Sequence, residues 1–120
     1  MPIWLRLGNV LAAKFIELLW ISSEPRFTDV GCTFRVFWKR SYELVGGQLT
    51  GIGPEFSPEM MIEFIRNKQR VIEVPISYHG RMGGTSKHSK GIFGVGHTAV
   101  RMLMMTLKKR FTHQKNSLAR

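Results

Sequence analysis

From residue 80 to residue 87 the chain reads GRMGGTSK, and this short run collects the groups that hold a phosphate. Arg81 and Lys87 bring two cations and Thr85 and Ser86 two hydroxyls, while Gly83 and Gly84 give a backbone free to turn its N–H groups toward an anion. A diphosphate or a lipid phosphate is the ligand such a loop would take. It is not a Walker phosphate loop, which ends Gly-Lys-Ser/Thr, because here Ser86 precedes Lys87. Gly91, Gly94 and Gly96 run in the reverse of the dinucleotide fingerprint and follow no predicted strand. His79, His88, His97 and His113 show no paired ligand spacing, so no metal site is expected.

The loop needs a scaffold, and the residues before it supply one. Ser57, Pro58 and Glu59 make a helix start with a capping hydroxyl, a proline at the first turn and an early acid, predicting a helix over 57–67. Met60, Met61, Phe64 and Ile65 fall on one apolar stripe, with Glu63, Arg66 and Lys68 toward solvent. Ile72, Val74, Ile76 and Tyr78 then alternate with Val71, Glu73, Pro75 and Ser77, which predicts a strand at 71–78 with one buried face. Pro75 removes a ladder donor and suggests an edge or a bulge.

Upstream, Trp4, Leu7, Leu11, Phe15 and Leu18 recur at spacings of three and four and predict an amphipathic helix over 3–20. Its apolar face either packs into the core or lies near a membrane interface beside Arg6 and Lys14. Phe34, Val36 and Trp38 mark a second strand over 32–38, a short helix follows at 40–45, and Gly46, Gly47, Gly51, Gly53 and Pro54 mark a loop. A last helix over 95–111 carries a Val100, Leu103, Met104, Leu107 stripe with Arg101, Lys108, Lys109 and Arg110, a pattern suited to an anionic membrane surface. The tail at 112–120 is expected to fray.

Composition narrows the partners. A chain of 120 residues with 43% hydrophobic content can build one modest core, and its net charge of +10 favours anionic ligands. No stretch reaches the roughly 20 apolar residues of a membrane span, since Lys14 and Glu17 interrupt the longest one. The opening Met-Pro-Ile-Trp lacks a secretory n-region, and the single Cys32 excludes an internal disulfide framework. A cytoplasmic location, peripheral at the membrane's cytoplasmic face, is the resulting expectation.

The run TDVGCTFRVFWKRSYELV at 28–45, followed by FSPEMMIEFIRNKQRVIEVPISYHGRMGGTSK at 56–87, resembles the C-terminal half of family 2 glycosyltransferases. The branch nearest in appearance holds the dolichyl-phosphate mannosyltransferases and polyprenyl-phosphate glycosyltransferases. The resemblance implies an α/β chain, the C-terminal portion of a GT-A (Rossmann-like) domain over 1–111. It implies an enzyme that moves a sugar from a nucleotide diphosphate onto a polyprenyl or dolichyl phosphate. Such enzymes clamp a divalent ion, Mg2+ or Mn2+, with a DxD motif in the N-terminal half. Asp29 is this chain's one aspartate, so no DxD exists here, the donor-binding half is expected to be absent, and activity of the chain alone is not expected.

The resemblance also assigns residues. Arg81, Ser86 and Lys87 match an R-x-x-G-x-S-K element that reaches the donor diphosphate or lipid phosphate. Arg6 is an acceptor-phosphate contact by resemblance alone. Arg35 is either a surface strand residue or, as the arginine of TxFR, a group near the active site that holds an acceptor phosphate. Asp29 either caps a turn or positions the acceptor or donor sugar. Glu59 answers the helix dipole, corresponds to the acid that serves as base in more distant members, or orients the acceptor or closes a salt bridge. An acceptor phosphate is already ionised and does not require that base. Two rival classes stand beside this reading: a basic nucleic-acid-binding module, which has charge but no recognisable motif, and a non-catalytic membrane-surface adaptor. No nucleic-acid partner is expected.

Overall fold

The computed structural model describes residues 3–23, 25–32, 34–77, 79, 82–84 and 91–117, and for 91–92 and 113–117 the backbone alone. Four α-helices carry the fold: α1 (Ile3–Leu19), α2 (Lys39–Val45), α3 (Phe56–Arg66) and α4 (Gly91–Ser117). Short 3₁₀ turns follow α1 at Ile21–Ser23 and α2 at Gly46–Gln48. No strand forms among the described residues. The expected α/β architecture, a GT-A (Rossmann-like) portion with strands at 32–38 and 71–78, is therefore overturned: the described chain is all-helical.

The physical reason lies in what alternation specifies. A period of two favours extended backbone, but a strand also needs a neighbour to complete its ladder, and 71–77 takes up neither helix nor strand. Residues 71–77 make no backbone-to-backbone hydrogen bond among the described residues. Ile72, Val74 and Ile76, expected to be buried, are 78%, 70% and 60% exposed, and Val71 alone packs on the core. Phe34, Val36 and Trp38 also stand in solvent. Tyr78 lies outside the described residues.

Helix α3 is the centre of the molecule. Pro58 through Ile65 are all buried, so this helix has no solvent face over two turns. Met61, Ile62 and Ile65 meet Ala13 and Ile16 of α1, Trp20 just after it, and Phe27 and Val30 of the connector, while Met60 and Phe64 meet Val45 of α2. Glu63, expected at the surface, is buried with them. Ser57 does not cap the helix; Glu55 sits at the N-cap without a side-chain bond, and the Ser57 hydroxyl is used elsewhere. At the other end Lys68 takes φ of 57°, Lys68 N–H donates to Ile65 O at 3.0 Å and Gln69 N–H to Phe64 O at 2.9 Å, a complete Schellman close with lysine where glycine is usual.

Helix α4 starts four residues earlier than its periodicity predicts and continues through the segment expected to fray. Residues 118–120 lie outside the described residues. It is tied to the rest by Arg101 on Glu55 at 2.5 Å, by Lys109, and by the Arg110 guanidinium 5.9 Å above the Trp20 ring.

Both long helices turn their most apolar stripes outward. On α1 the buried face is Ala13 and Ile16, and Trp4, Leu7, Leu11 and Leu18 are exposed. On α4, Phe93, Val100, Leu103, Met104 and Phe111 are exposed, while Thr106 and Lys109 are buried. The total accessible surface is 9768 Å² for 13.8 kDa, against roughly 6,600 Å² for a compact monomer of that mass.

Candidate functional site

The two sequence blocks meet through polar contacts at the turn after α1. The Glu73 carboxylate accepts from Thr28 N–H at 2.6 Å, Thr28 Oγ1 at 2.8 Å and Asp29 N–H at 2.9 Å. Asp29 Oδ1 in turn accepts from Gly31 N–H at 2.8 Å, Cys32 N–H at 3.0 Å and the Asn9 side-chain amide. One carboxylate thus clamps the turn from outside and the other from within. Asp29 caps the turn, the first of the two roles its position allows.

Just beyond the turn, Arg35 folds back onto the start of α3. Its Nη1 donates to Ser57 O at 2.6 Å, and its Nη2 donates to Val30 O at 3.0 Å and Ser57 Oγ at 2.7 Å. The Ser57 hydroxyl donates to Val30 O at 2.5 Å, closing a ring of contacts between the connector and α3. Arg35 is half-buried, and burial lowers it from its ordinary value, though far too little to discharge it at neutral pH. A guanidinium has five N–H donors, and these contacts engage three, so one Nη1 N–H and Nε–H remain.

Arg35 also lines a cavity of about 220 Å³, together with Phe37, Phe56, Ser57 and Met60. Phe37 is held in place by Tyr42, stacked at 5.7 Å, and Phe64, tilted at 5.7 Å. The result is a fixed cation beside aromatic and thioether walls. That combination suits a small anion joined to an apolar group, such as a phosphate on a hydrocarbon chain. A larger hollow of about 480 Å³ beside Lys14, Glu17, Leu18, Ile21, Pro25 and Arg26 is less suited. There the Glu17 carboxylate already accepts from Phe27 N–H at 2.8 Å and pairs with Lys14 at 2.9 Å; burial raises its pKa, and these donors outweigh burial and hold it below the ordinary value.

Glu59, the other catalytic candidate, is fully buried and fully occupied. It accepts from Thr50 N–H at 3.0 Å, Thr50 Oγ1 at 2.8 Å and Gly51 N–H at 2.7 Å, and it pairs with Lys109 at 2.9 Å. Lys109 also reaches Glu63 at 2.7 Å and Gln48 O at 2.6 Å, and Arg66 balances Glu63 at 2.7 Å. Burial pushes Glu59 upward, but Lys109, Gly51 and Thr50 together hold it below the ordinary carboxylate value. A fully buried carboxylate held by these donors and by Lys109 is an anchor for α4 and the 48–51 loop. It is not positioned as a base.

Arg6 is exposed on α1 and makes no ion pair with a described residue. Arg81, Ser86 and Lys87 lie outside the described residues; of the loop at 80–87 only 82–84 are described, with Met82 exposed and Gly84 at φ of 80°. Of the cations expected to face a membrane on α4, Arg101 and Lys109 are spent on internal carboxylates. Among the described residues no group of three or more His, Cys, Asp or Glu side chains is placed to hold a metal ion. No helix is long and apolar enough to cross a membrane among the described residues. Sequence reasoning missed Ser57, Glu73, Thr50 and Lys109 as partners. A search of protein-family models, of curated proteins and of solved structures finds no match to this chain.

Proposed function

We propose that the chain is the acceptor-side part of a glycosyltransferase that moves a sugar from a nucleotide diphosphate to a polyprenyl or dolichyl phosphate at a cytoplasmic membrane face. The carrying observation is the Arg35 cavity, a locked guanidinium flanked by Phe37, Phe56 and Met60. Neither a free sugar nor an inorganic anion needs both features. The burial of Glu59 fits the same chemistry, because a phosphate acceptor is a nucleophile without deprotonation.

In the reaction, an acceptor phosphate oxygen attacks the anomeric carbon as the bond to the nucleoside diphosphate breaks, and the leaving group departs with the electron pair. Arg35 holds the acceptor oxygens, and the resemblance gives Arg81, Ser86 and Lys87 to the donor or acceptor phosphates, where charge builds as that bond breaks. The described residues do not fit the divalent ion such enzymes use, and no step here runs through it. The excess surface, the exposed Ile72, Val74 and Ile76, and a 71–77 backbone that pairs with no other backbone among the described residues support a further protein part against this chain.

Calorimetry with geranyl phosphate, geraniol and inorganic phosphate tests the reading. Geranyl phosphate should bind best, and Arg35→Gln should weaken it by roughly 1.5–3 kcal/mol, the loss of charged hydrogen bonds. Equal binding of geraniol, or an affinity indifferent to Arg35→Gln, would exclude the acceptor role.

A further inference from the structure

The unpartnered surfaces of this molecule are of two chemical kinds. Residues 71–77 make no backbone-to-backbone hydrogen bond among the described residues, and a partner for this segment would be one that supplies hydrogen bonds. Helix α1 is different: its backbone is satisfied within the helix, and only side chains lack cover. Ile3, Trp4, Leu7, Leu11 and Leu18 form one stripe along it, between 58% and 70% exposed. Such a face can be covered by a medium that offers no hydrogen bonds at all.

The charges on α1 say which medium. Its only acid, Glu17, is turned to Phe27 N–H and Lys14. What remains in solvent beside the stripe is Arg6, with Lys14 exposed but paired to Glu17, and the chain as a whole carries +10. A second copy pressed stripe to stripe would bring like charges together, whereas an anionic lipid surface attracts them. At 17 residues α1 is about 26 Å long, and no described helix is apolar enough to cross a bilayer. Lying flat is the arrangement left to it.

We propose that α1 is the membrane-docking element: it lies in the plane of an anionic bilayer surface with Trp4, Leu7, Leu11 and Leu18 among the headgroups and upper acyl chains. This names the surface and lipid charge behind the peripheral location proposed above, and it does not depend on the Arg35 cavity. Vesicles that contain no prenyl phosphate therefore separate the two ideas.

The test uses the full chain in a Trp38→Phe background, which leaves Trp4 as the exposed tryptophan because Trp20 is buried. Vesicles of phosphatidylcholine alone are compared with vesicles of phosphatidylcholine and phosphatidylglycerol by flotation. Binding is expected to the anionic vesicles, weakened by salt, with a blue shift of Trp4 emission and quenching by lipids brominated near the headgroup. Leu7→Glu with Leu11→Glu, both at exposed positions and checked by circular dichroism, should lower partitioning at least about tenfold. Unchanged partitioning of that variant, or binding without a Trp4 shift, overturns the proposal. So does a wild-type chain that ignores anionic vesicles while sedimenting as a dimer that Leu7→Glu dissolves, which would make a second copy the occupant.

Discussion

Replacing Lys109 by methionine removes the one cation shared by Glu59 and Glu63 while leaving a side chain of similar length. In the wild type the ammonium lies 2.9 Å from Glu59 and 2.7 Å from Glu63, and both carboxylates are 0% exposed. Glu63 keeps Arg66, and Glu59 keeps the Thr50 and Gly51 donors, but Glu59 loses its one cationic partner among the described residues. Breaking a buried pair from one side costs about 3–5 kcal/mol, a large share of the roughly 5–15 kcal/mol that holds a domain of this size. Urea unfolding followed by circular dichroism measures it. Removing the stranded charge as well, in Glu59→Gln with Lys109→Met, should return part of the loss. A single-variant loss below about 1 kcal/mol, the level of exposed pairs, would refute the buried cluster. The pH dependence has a fixed sign. Because Glu59 is held below its ordinary 4.5, its contribution is complete above that pH and is lost as the pH falls below it through the lowered folded value.

Four other outcomes are expected. Lys68→Gly should stabilise the chain by about 0.5–1 kcal/mol, since residue 68 sits at φ of 57° where a Cβ is strained, and the same urea titration detects it. Gly51→Ala should destabilise by about 1–3 kcal/mol, because its Cβ would stand 2.9 Å from Glu59 Oε2 and 3.2 Å from backbone of Phe56. Ser57→Ala should cost about 1–2 kcal/mol and loosen Arg35, which loses one of its three contacts; weaker geranyl phosphate binding would report the loosening. Glu73→Gln should speed amide exchange at Gly31 and Cys32, because the turn loses the outer of its two carboxylate clamps.

The helices were legible because their signals are local. Spacings of three and four placed α1, the Ser57-Pro58-Glu59 start placed α3, and both, with the short α2, fell within a residue or two of their observed ends, while α4 was found although both ends were drawn too short. Which way a helix faces is not local. The Trp4, Leu7, Leu11, Leu18 stripe is the more apolar face of α1, yet the buried residues are Ala13 and Ile16, which join the cluster of Met61, Ile62 and Ile65 on α3. The strands failed for the same reason: alternation at 71–77 favours an extended backbone but names no neighbour. At the site, Arg35 and the capping role of Asp29 could be read from residue type. Lys109 could not, because 46 residues separate it from Glu63 and nothing in a basic helix distinguishes the lysine that turns inward.

The most direct test of the acceptor reading is a nitrogen–proton correlation spectrum of the labelled chain during titration with geranyl phosphate. The account predicts that the largest shifts gather at Arg35, Phe37, Phe56, Ser57 and Met60, that the Arg35 Nε–H resonance moves with them, and that Arg35→Gln removes the pattern. Shifts confined to α1, or spread evenly over the cationic surface and abolished by moderate salt, would contradict it.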